Sequence, residues 1–218
     1  MSYDAVVFDN DGVLVDTTDY DVLQEAAWRA FEEAGVDDPD PEHVESVVVG
    51  VTPESLSDVC ERYGLSVEEF WRVRDRASHE AQREHVHAGG KQLFDDVSTL
   101  SNLELPMGVV SSNQQETVDF LLDHHGVSGL FDTAYGRQPT IADLRRRKPD
   151  PHFIEKALSD LDAEDALYVG DRESDITAAV NAGVESAFIR RPHRRDHELS
   201  VQPDHVVEDL HDVRALCR

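Results

Sequence analysis

Val6-Val7-Phe8-Asp9-Asn10-Asp11-Gly12-Val13-Leu14-Val15-Asp16 decides how the chain is read. A short apolar run ends abruptly in two carboxylates one residue apart. Gly12 follows, where a tight turn forms without a Cβ clash. Two carboxylates about 4 Å apart repel by roughly 4 kcal/mol at an effective dielectric near 20. A pair kept against that repulsion points to a cation or a reaction that uses it. Asp-x-Asp-Gly also opens calcium loops, but those carry further acids and Asn within the same loop. Here Val13-Leu14-Val15 follows instead.

Working outward, further short runs share the character of the first. The strand candidates are Ala5–Phe8, Met107–Val110, Thr133–Tyr135, Ala166–Val169, Ser186–Ile189 and His205–Val207. They are apolar throughout rather than alternating, as expected of a parallel sheet covered on both faces. Helical stretches lie between them. Asn113-x-x-Glu116 reads as a helix start and Gly126 as its end. Asp150 before Pro151 reads as an N-cap with proline in the first turn. Ser174 to Ala182 is a further helix, closed by Gly183. The alternation implies an α/β fold with a doubly wound parallel sheet. In such sheets ligands bind at the carboxyl ends of the strands. Asp9, Ser111 and Asp171 each fall just past such an end.

Between the first and second strands the pattern turns helical, over Leu23–Ala34, Glu42–Val49, Glu54–Tyr63 and Val67–His85. We expect residues 1–16 and 89–218 to form the α/β core and 17–88 an inserted helical domain, with Gly89-Gly90 as the hinge. Trp28, Phe31, Phe70 and Trp71 are expected in the core of the insert.

Four pieces of sequence now stand in order: Asp9-Asn-Asp11-Gly12, Ser111-Ser112-Asn113, Lys148-Pro149-Asp150, and Gly170-Asp171-Arg-Glu-Ser-Asp175. Together they resemble the haloacid dehalogenase-like (HAD) phosphohydrolases, across nearly the whole chain. The resemblance implies a Rossmann-like core with a helical cap domain and phosphoryl transfer through an aspartyl-phosphate. It makes Asp9 the nucleophile and Asp11 the acid and base that serves the leaving alcohol and then the water. Ser111 would donate to a phosphoryl oxygen, with Ser112 as the alternative and the backbone N–H groups of the next helix start alongside. Lys148 would neutralise the phosphoryl group and the nucleophile. Mg²⁺ is the implied ion, held by Asp9, the Asp11 carbonyl and Asp171. Asp175, one helical turn further, either binds the ion or orients a coordinated water. Asp16 and Thr17 would shape the cap entrance.

Departures narrow the activity. Haloacid dehalogenases lack the second aspartate of the first motif, so Asp11 argues for a phosphatase. Phosphonatases need a cap lysine, and no lysine occurs between Thr17 and Ala88. Mutases of the β-phosphoglucomutase type carry a His shortly after the first motif, where Asp21 stands, and a basic residue where Gly50-Val-Thr-Pro-Glu54 stands. The expected function is therefore hydrolysis of a small phosphorylated metabolite, phosphoglycolate phosphatase-like. A phosphotransferase or sugar-phosphate mutase is the alternative within the family. A receiver-type phospho-aspartate signalling module is one alternative outside it, but such a domain is about half this length and has no large insert. A catalytically silent relative acting as a binding module is the other, and the presence of every motif residue counts against it.

Composition sets the surroundings. The 218 residues carry 46 Asp and Glu against 20 Lys and Arg, a net charge of −26. The acids are spread along the chain, and Lys91, Lys148 and Lys156 are its only lysines. Such a surface self-repels in dilute buffer and reads as that of a cytoplasmic protein from a salt-accumulating halophilic archaeon. It argues against nucleic-acid partners. Arg145–Arg147 and Arg190-Arg-Pro-His-Arg-Arg195 are local basic spots, expected to pair with surrounding acids in solvent, with help in holding an anionic substrate as the alternative. Cys60 and Cys217 are expected as free thiols. With a strand expected by Ala5 we expect no signal peptide, and no apolar run nears the ~20 residues of a spanning helix. We expect no membrane partner and a monomer or small homo-oligomer. His79, Glu80, Glu84, His85 and His87 are expected as surface groups, with a second metal site as the sharper alternative.

Overall fold

The computed structural model describes residues 3–195 and 197–218. In chain order it contains β1 (Ala5–Phe8), α1 (Tyr20–Glu33), α2 (Pro41–Glu45), α3 (Pro53–Tyr63), α4 (Val67–His87), β2 (Met107–Gln114), α5 (Gln115–His124), β3 (Thr133–Arg137), α6 (Ile141–Arg145), α7 (His152–Asp160), β4 (Ala166–Gly170), α8 (Glu173–Ala182), β5 (Glu185–Ile189), β6 (His205–Val207) and α9 (Leu210–Leu216). These fall into two compact units: Met1–Thr17, Gln92–Gly136 and Arg146–Arg218 in the first, Thr18–Lys91 and Arg137–Arg145 in the second.

The first unit holds a six-stranded sheet of order β3-β2-β1-β4-β5-β6. β1 pairs in parallel with β2 on one side and β4 on the other, and β4–β5 and β5–β6 are parallel too. The chain winds outward from β1 one way, then returns and winds the other, so β1 sits at the switch point. Alternation explains the unbroken apolar runs. Val6 and Phe8 face one layer, with Val118 and Leu122 of α5 and Leu210 and Val213 of α9. Ala5 and Val7 face the other, with Phe153, Ile154 and Ala157 of α7 and Ala178 and Ala179 of α8. With helices on both faces, every side chain of β1 is apolar and buried. This is the expected α/β fold.

The second unit is helical, built on Phe31, Val44, Val47, Leu56, Val59, Phe70, Trp71 and Leu144. Thr52 and Ser55 form a reciprocal capping box at the start of α3, with Pro53 at its first position. Gly64, at φ 65°, ends it in the left-handed conformation. The segment Arg137–Arg145 joins this unit through a buried ion pair. Arg137 donates from both terminal nitrogens to Asp75, with Nη2–Oδ1 at 2.7 Å, and its guanidinium lies over the Trp71 ring.

Local differences from the sequence reading have physical reasons. β2 runs on to Gln114, so Asn113 belongs to the strand and the helix begins at Gln115; the Asn113 side chain reaches Asp11 and so is not a cap. α2 ends at Glu45, and Ser46 to Val48 continue only as turns. Trp28 is 40% exposed, on the outer side of α1, whereas Phe31, Phe70 and Trp71 are buried. Cys60 and Cys217 are free. No helix among the described residues is long and apolar enough to cross a membrane.

Candidate active site

The site grows from the loop after β1. Register places Phe8 beside Val109 of β2 and Val169 of β4, so Asp9 emerges between the ends of β2 and β4. The Asn10 carbonyl then accepts N–H bonds from Val13, Leu14 and Val15, which curls the chain into a tight loop. Gly12 sits in that loop at φ 85°. A Cβ there would stand 2.6 Å from Asp171 Oδ2, so the residue must be glycine for close approach as well as for conformation. The loop therefore sets Gly12 against Asp171 at the end of β4, while Asp11 turns to Ser111 and Asn113 of β2.

β4 delivers Gly170 and Asp171. Gly170 is needed because Asp175 folds back onto it: a Cβ would lie 2.2 Å from the Asp175 Cβ. Asp175, in the first turn of α8, accepts the backbone N–H groups of Asp171 at 3.2 Å and Arg172 at 3.0 Å on Oδ2. Its Oδ1 faces the Lys148 ammonium at 2.5 Å, an ion pair rather than an aligned hydrogen bond. The Gly-Asp-x-x-x-Asp spacing thus places a carboxylate one helical turn on, where it organises its own loop.

Lys148 is the hub. Its ammonium lies 2.8 Å from Asp9 Oδ1 and 2.9 Å from the Tyr168 hydroxyl, with the Val110 carbonyl at 3.3 Å. Burial opposes its charge, but Asp175 and Asp9 outweigh that and hold the ammonium well above the usual lysine range. Burial pushes Asp9 the other way. Against the pull of Lys148, desolvation and the charges of Asp175, Asp171 and Asp11 raise it to about 7. Asp171 is also buried, yet the His193 hydrogen bond and the charges of Arg172 and Arg194 leave it below the usual carboxylate range.

Around Asp11 stand Ser111 Oγ at 3.5 Å, Asn113 Nδ2 at 3.3 Å and Asn10 Nδ2 at 3.3 Å from Oδ2. Ser111 also accepts the Asn113 backbone N–H at 3.1 Å. Ser112, next along β2, is half-buried. One oxygen each of Asp9, Asp171 and Asp175 lies within 4.8 Å of the others, the one such grouping among the described residues. It does not include the histidines near the end of α4; His79 is buried, contrary to its expected surface position, and His85 lies 3.7 Å from Asp19. Asp16 pairs with Gln92 through Asp16 N–H to the Gln92 carbonyl at 2.9 Å and Gln92 N–H to Oδ2 at 3.1 Å, which ties the outgoing and returning chain together.

Sequence reading missed Tyr168, Asn113, His193 and Arg194. Tyr168 lies inside an apolar run and looks like core. The basic run at 190–195 was expected to pair in solvent, but Arg191 is buried against Asp96 and Phe94, and His193 and Arg194 reach Asp171. The signal available was the density of Arg and His around one proline, in a chain otherwise short of positive charge.

A pyrophosphatase PpaX from Oceanobacillus iheyensis is 24% identical over 216 residues, covering 98% of this chain and 96% of that protein. PpaX from Bacillus cereus is 28% identical over 217 residues, covering 98% and 95%. Among solved structures, CbbY from Rhodobacter sphaeroides in complex with phosphate superposes with a TM-score of 0.70 at 19% identity, covering 97% of this chain and 96% of that one. A protein described as a predicted phosphoglycolate phosphatase from Haemophilus somnus gives 0.66 at 19% identity, covering 99% and 98%. Residues 6–189 match the haloacid dehalogenase-like hydrolase description, from the strand that carries Asp9 to the end of β5. The chain belongs to that family of hydrolases.

Proposed function

We propose that the protein is a Mg²⁺-dependent phosphatase that hydrolyses a small phosphomonoester through an aspartyl-phosphate on Asp9. The observation that carries the reading is the meeting of Asp9, Asp171 and Asp175 with the Lys148 ammonium at the switch point of the sheet. The donor set is all carboxylate, which suits a hard cation. Asp171 Oδ1 is buried without a hydrogen-bond partner, so it has capacity for one. Asp9 and Asp171 would hold the ion, with the Asp11 carbonyl. Asp175 is already engaged on both oxygens and fits an orienting role better than a ligating one. When bound, the ion offsets charge on the transferring phosphoryl group.

The chain's own residues carry the chemistry. Asp9 Oδ1 pairs with Lys148, leaving Oδ2 to attack phosphorus. The Asp9 O–P bond forms as the bond to the leaving oxygen breaks, and Asp11 gives that oxygen its proton. Asp11 then takes a proton from the water that attacks the aspartyl-phosphate, releasing phosphate and restoring Asp9. Ser111 and Asn113 position Asp11 and offer donors to the phosphoryl oxygens. Lys148 balances Asp9 between turnovers. The helical unit Thr18–Lys91 with Arg137–Arg145 is proposed as the cap that selects the substrate.

For the substrate, the primary reading is a phosphoglycolate-like phosphomonoester. Inorganic pyrophosphate is the second reading, favoured by the name of the relatives that match over nearly the whole chain. A panel of phosphoglycolate, pyrophosphate, sugar phosphates and p-nitrophenyl phosphate, assayed with Mg²⁺ and with EDTA, tests both. Phosphate release that needs Mg²⁺ and is absent in Asp9→Asn supports the phosphatase. Equal release with EDTA would overturn the metal role, and no release from any substrate would overturn the enzyme.

A further inference from the structure

Asp171 is fully buried, and its two oxygens are treated differently. Oδ2 accepts from His193 Nε2 at 2.7 Å and from Arg194 Nε at 3.0 Å. Oδ1 has no hydrogen bond; the nearest cation to it is Arg172 Nε at 3.8 Å, on a side chain 55% exposed. The Gly12 backbone lies against the same Oδ2, where even a Cβ would strike that oxygen and stand 3.0 Å from His193 Nε2. The Gly12 loop and two donors thus crowd Oδ2, with the other oxygen left over.

The arm that supplies those donors is itself anchored. Arg190 N–H bonds to the Val207 carbonyl at 2.8 Å, extending from β5 alongside β6. Arg191 is buried, with Nη1 2.7 Å and Nη2 2.9 Å from the two Asp96 oxygens and its guanidinium over Phe94. Pro192 then opens a 3₁₀ turn to Arg194, closed by Arg194 N–H to the Arg191 carbonyl at 2.7 Å. His193 and Arg194 therefore reach Asp171 from a fixed turn.

We infer that His193 and Arg194 are positioning residues for a divalent cation at Asp171: they hold Oδ2 and turn Oδ1 toward the ion. The inference rests on the metal reading proposed above. A positive side chain beside a metal ligand has two opposed effects. Its charge repels the ion, and its hydrogen bond fixes the ligand. Here geometry favours the second, because both donors share one oxygen and leave the other open. Removal of such an outer partner typically weakens metal binding about 10- to 100-fold.

The test is Mn²⁺ binding without substrate, followed by calorimetry and by the electron paramagnetic resonance signal of the free ion. Wild type, Arg194→Ala, Arg194→Gln, His193→Asn and Asp171→Ala are compared, with melting in EDTA as the check on folding. Arg194→Ala should raise the Kd about 10- to 100-fold. Arg194→Gln, which keeps an N–H donor without the charge, should fall between it and wild type, and it stands in if the alanine variant does not fold. His193→Asn should also weaken binding. Unchanged or tighter binding in both Arg194 variants would overturn the inference, the tighter case making the arm a competitor of the ion. If Asp171→Ala binds Mn²⁺ as wild type does, the metal reading itself fails, independently of the arm.

Discussion

The Tyr168 hydroxyl lies 2.9 Å from the Lys148 ammonium and donates to the Val110 carbonyl at 3.0 Å. It links the end of β2, the strand β4 and the lysine that faces Asp9. Burial holds the phenol well above its usual range, so it stays protonated and serves as a fixed dipole. Tyr168→Phe keeps the ring and removes the link. A hydrogen bond to a charged group contributes about 1.5–3 kcal/mol, and each 1.36 kcal/mol is tenfold in rate. We expect kcat to fall by about one to two orders of magnitude with KM changed little, measured in steady-state assays. An unchanged kcat would mean that the Val110 carbonyl alone suffices to hold Lys148.

Asp9→Asn should leave no measurable turnover, because it removes the attacking oxygen and a metal ligand together. Asp11→Asn should slow turnover by about 10²–10⁴-fold, the usual value of a positioned proton transfer. Rapid-quench trapping of phosphoenzyme separates the two: Asp11→Asn should still form it from an activated aryl phosphate, and Asp9→Asn should not. Phosphoenzyme in Asp9→Asn would place the nucleophile elsewhere.

With EDTA present, Asp9 gives stability a definite pH dependence. Its ordinary value is 3.8 and the folded site raises it to about 7. Between those values the folded chain keeps a proton that the unfolded chain has released. Stability from this group is therefore present at low pH and is lost as pH rises from about 4 to about 7. Asp9→Asn lacks that loss. The melting temperature of the variant minus that of wild type should climb across this window and level off above it. A difference that stays flat from pH 4 to 8 would refute the raised Asp9.

Charge on the whole chain predicts a salt response. At net −26 the compact state stores self-repulsion. The Debye length is about 10 Å at 0.1 M and roughly 3 Å at 1 M. Melting temperature should rise steeply with KCl, and kcat/KM for an anionic substrate should rise with it. Sucrose is the control for solute exclusion. If sucrose alone stabilises as much as molar KCl does, screening is not the cause, and a flat response to KCl would end the halophile reading.

Most of the fold was legible because a doubly wound sheet writes itself as short apolar runs with chemistry at their ends. Val6–Phe8, Val109–Val110 and Leu167–Val169 needed no partner information to be seen. Asp9, Asp171 and Lys148 were legible for a related reason, since each stands at a fixed offset from a strand end or a proline. What escaped depends on contacts remote in sequence. Tyr168 reads as one more apolar residue until Lys148, 20 residues earlier, is seen to reach its hydroxyl. Asn113 reads as a helix cap until the strand is seen to continue beneath it. His193 and Arg194 read as solvated charge, because nothing local says that Asp171, more than 20 residues away, lies within reach.

The buried pair of Arg137 and Asp75 has a consequence for anyone who would recombine this protein. Because Arg137–Arg145 belongs with the helices, the chain passes between the two units four times, after residues 17, 91, 136 and 145. The helical unit is therefore not a cassette with two ends. A chimera that exchanged 18–91 alone would leave the Arg137 guanidinium without Asp75, and an orphaned partner of a buried ion pair costs about 3–5 kcal/mol. A working graft must carry both pieces, 18–91 and 137–145, from the same donor.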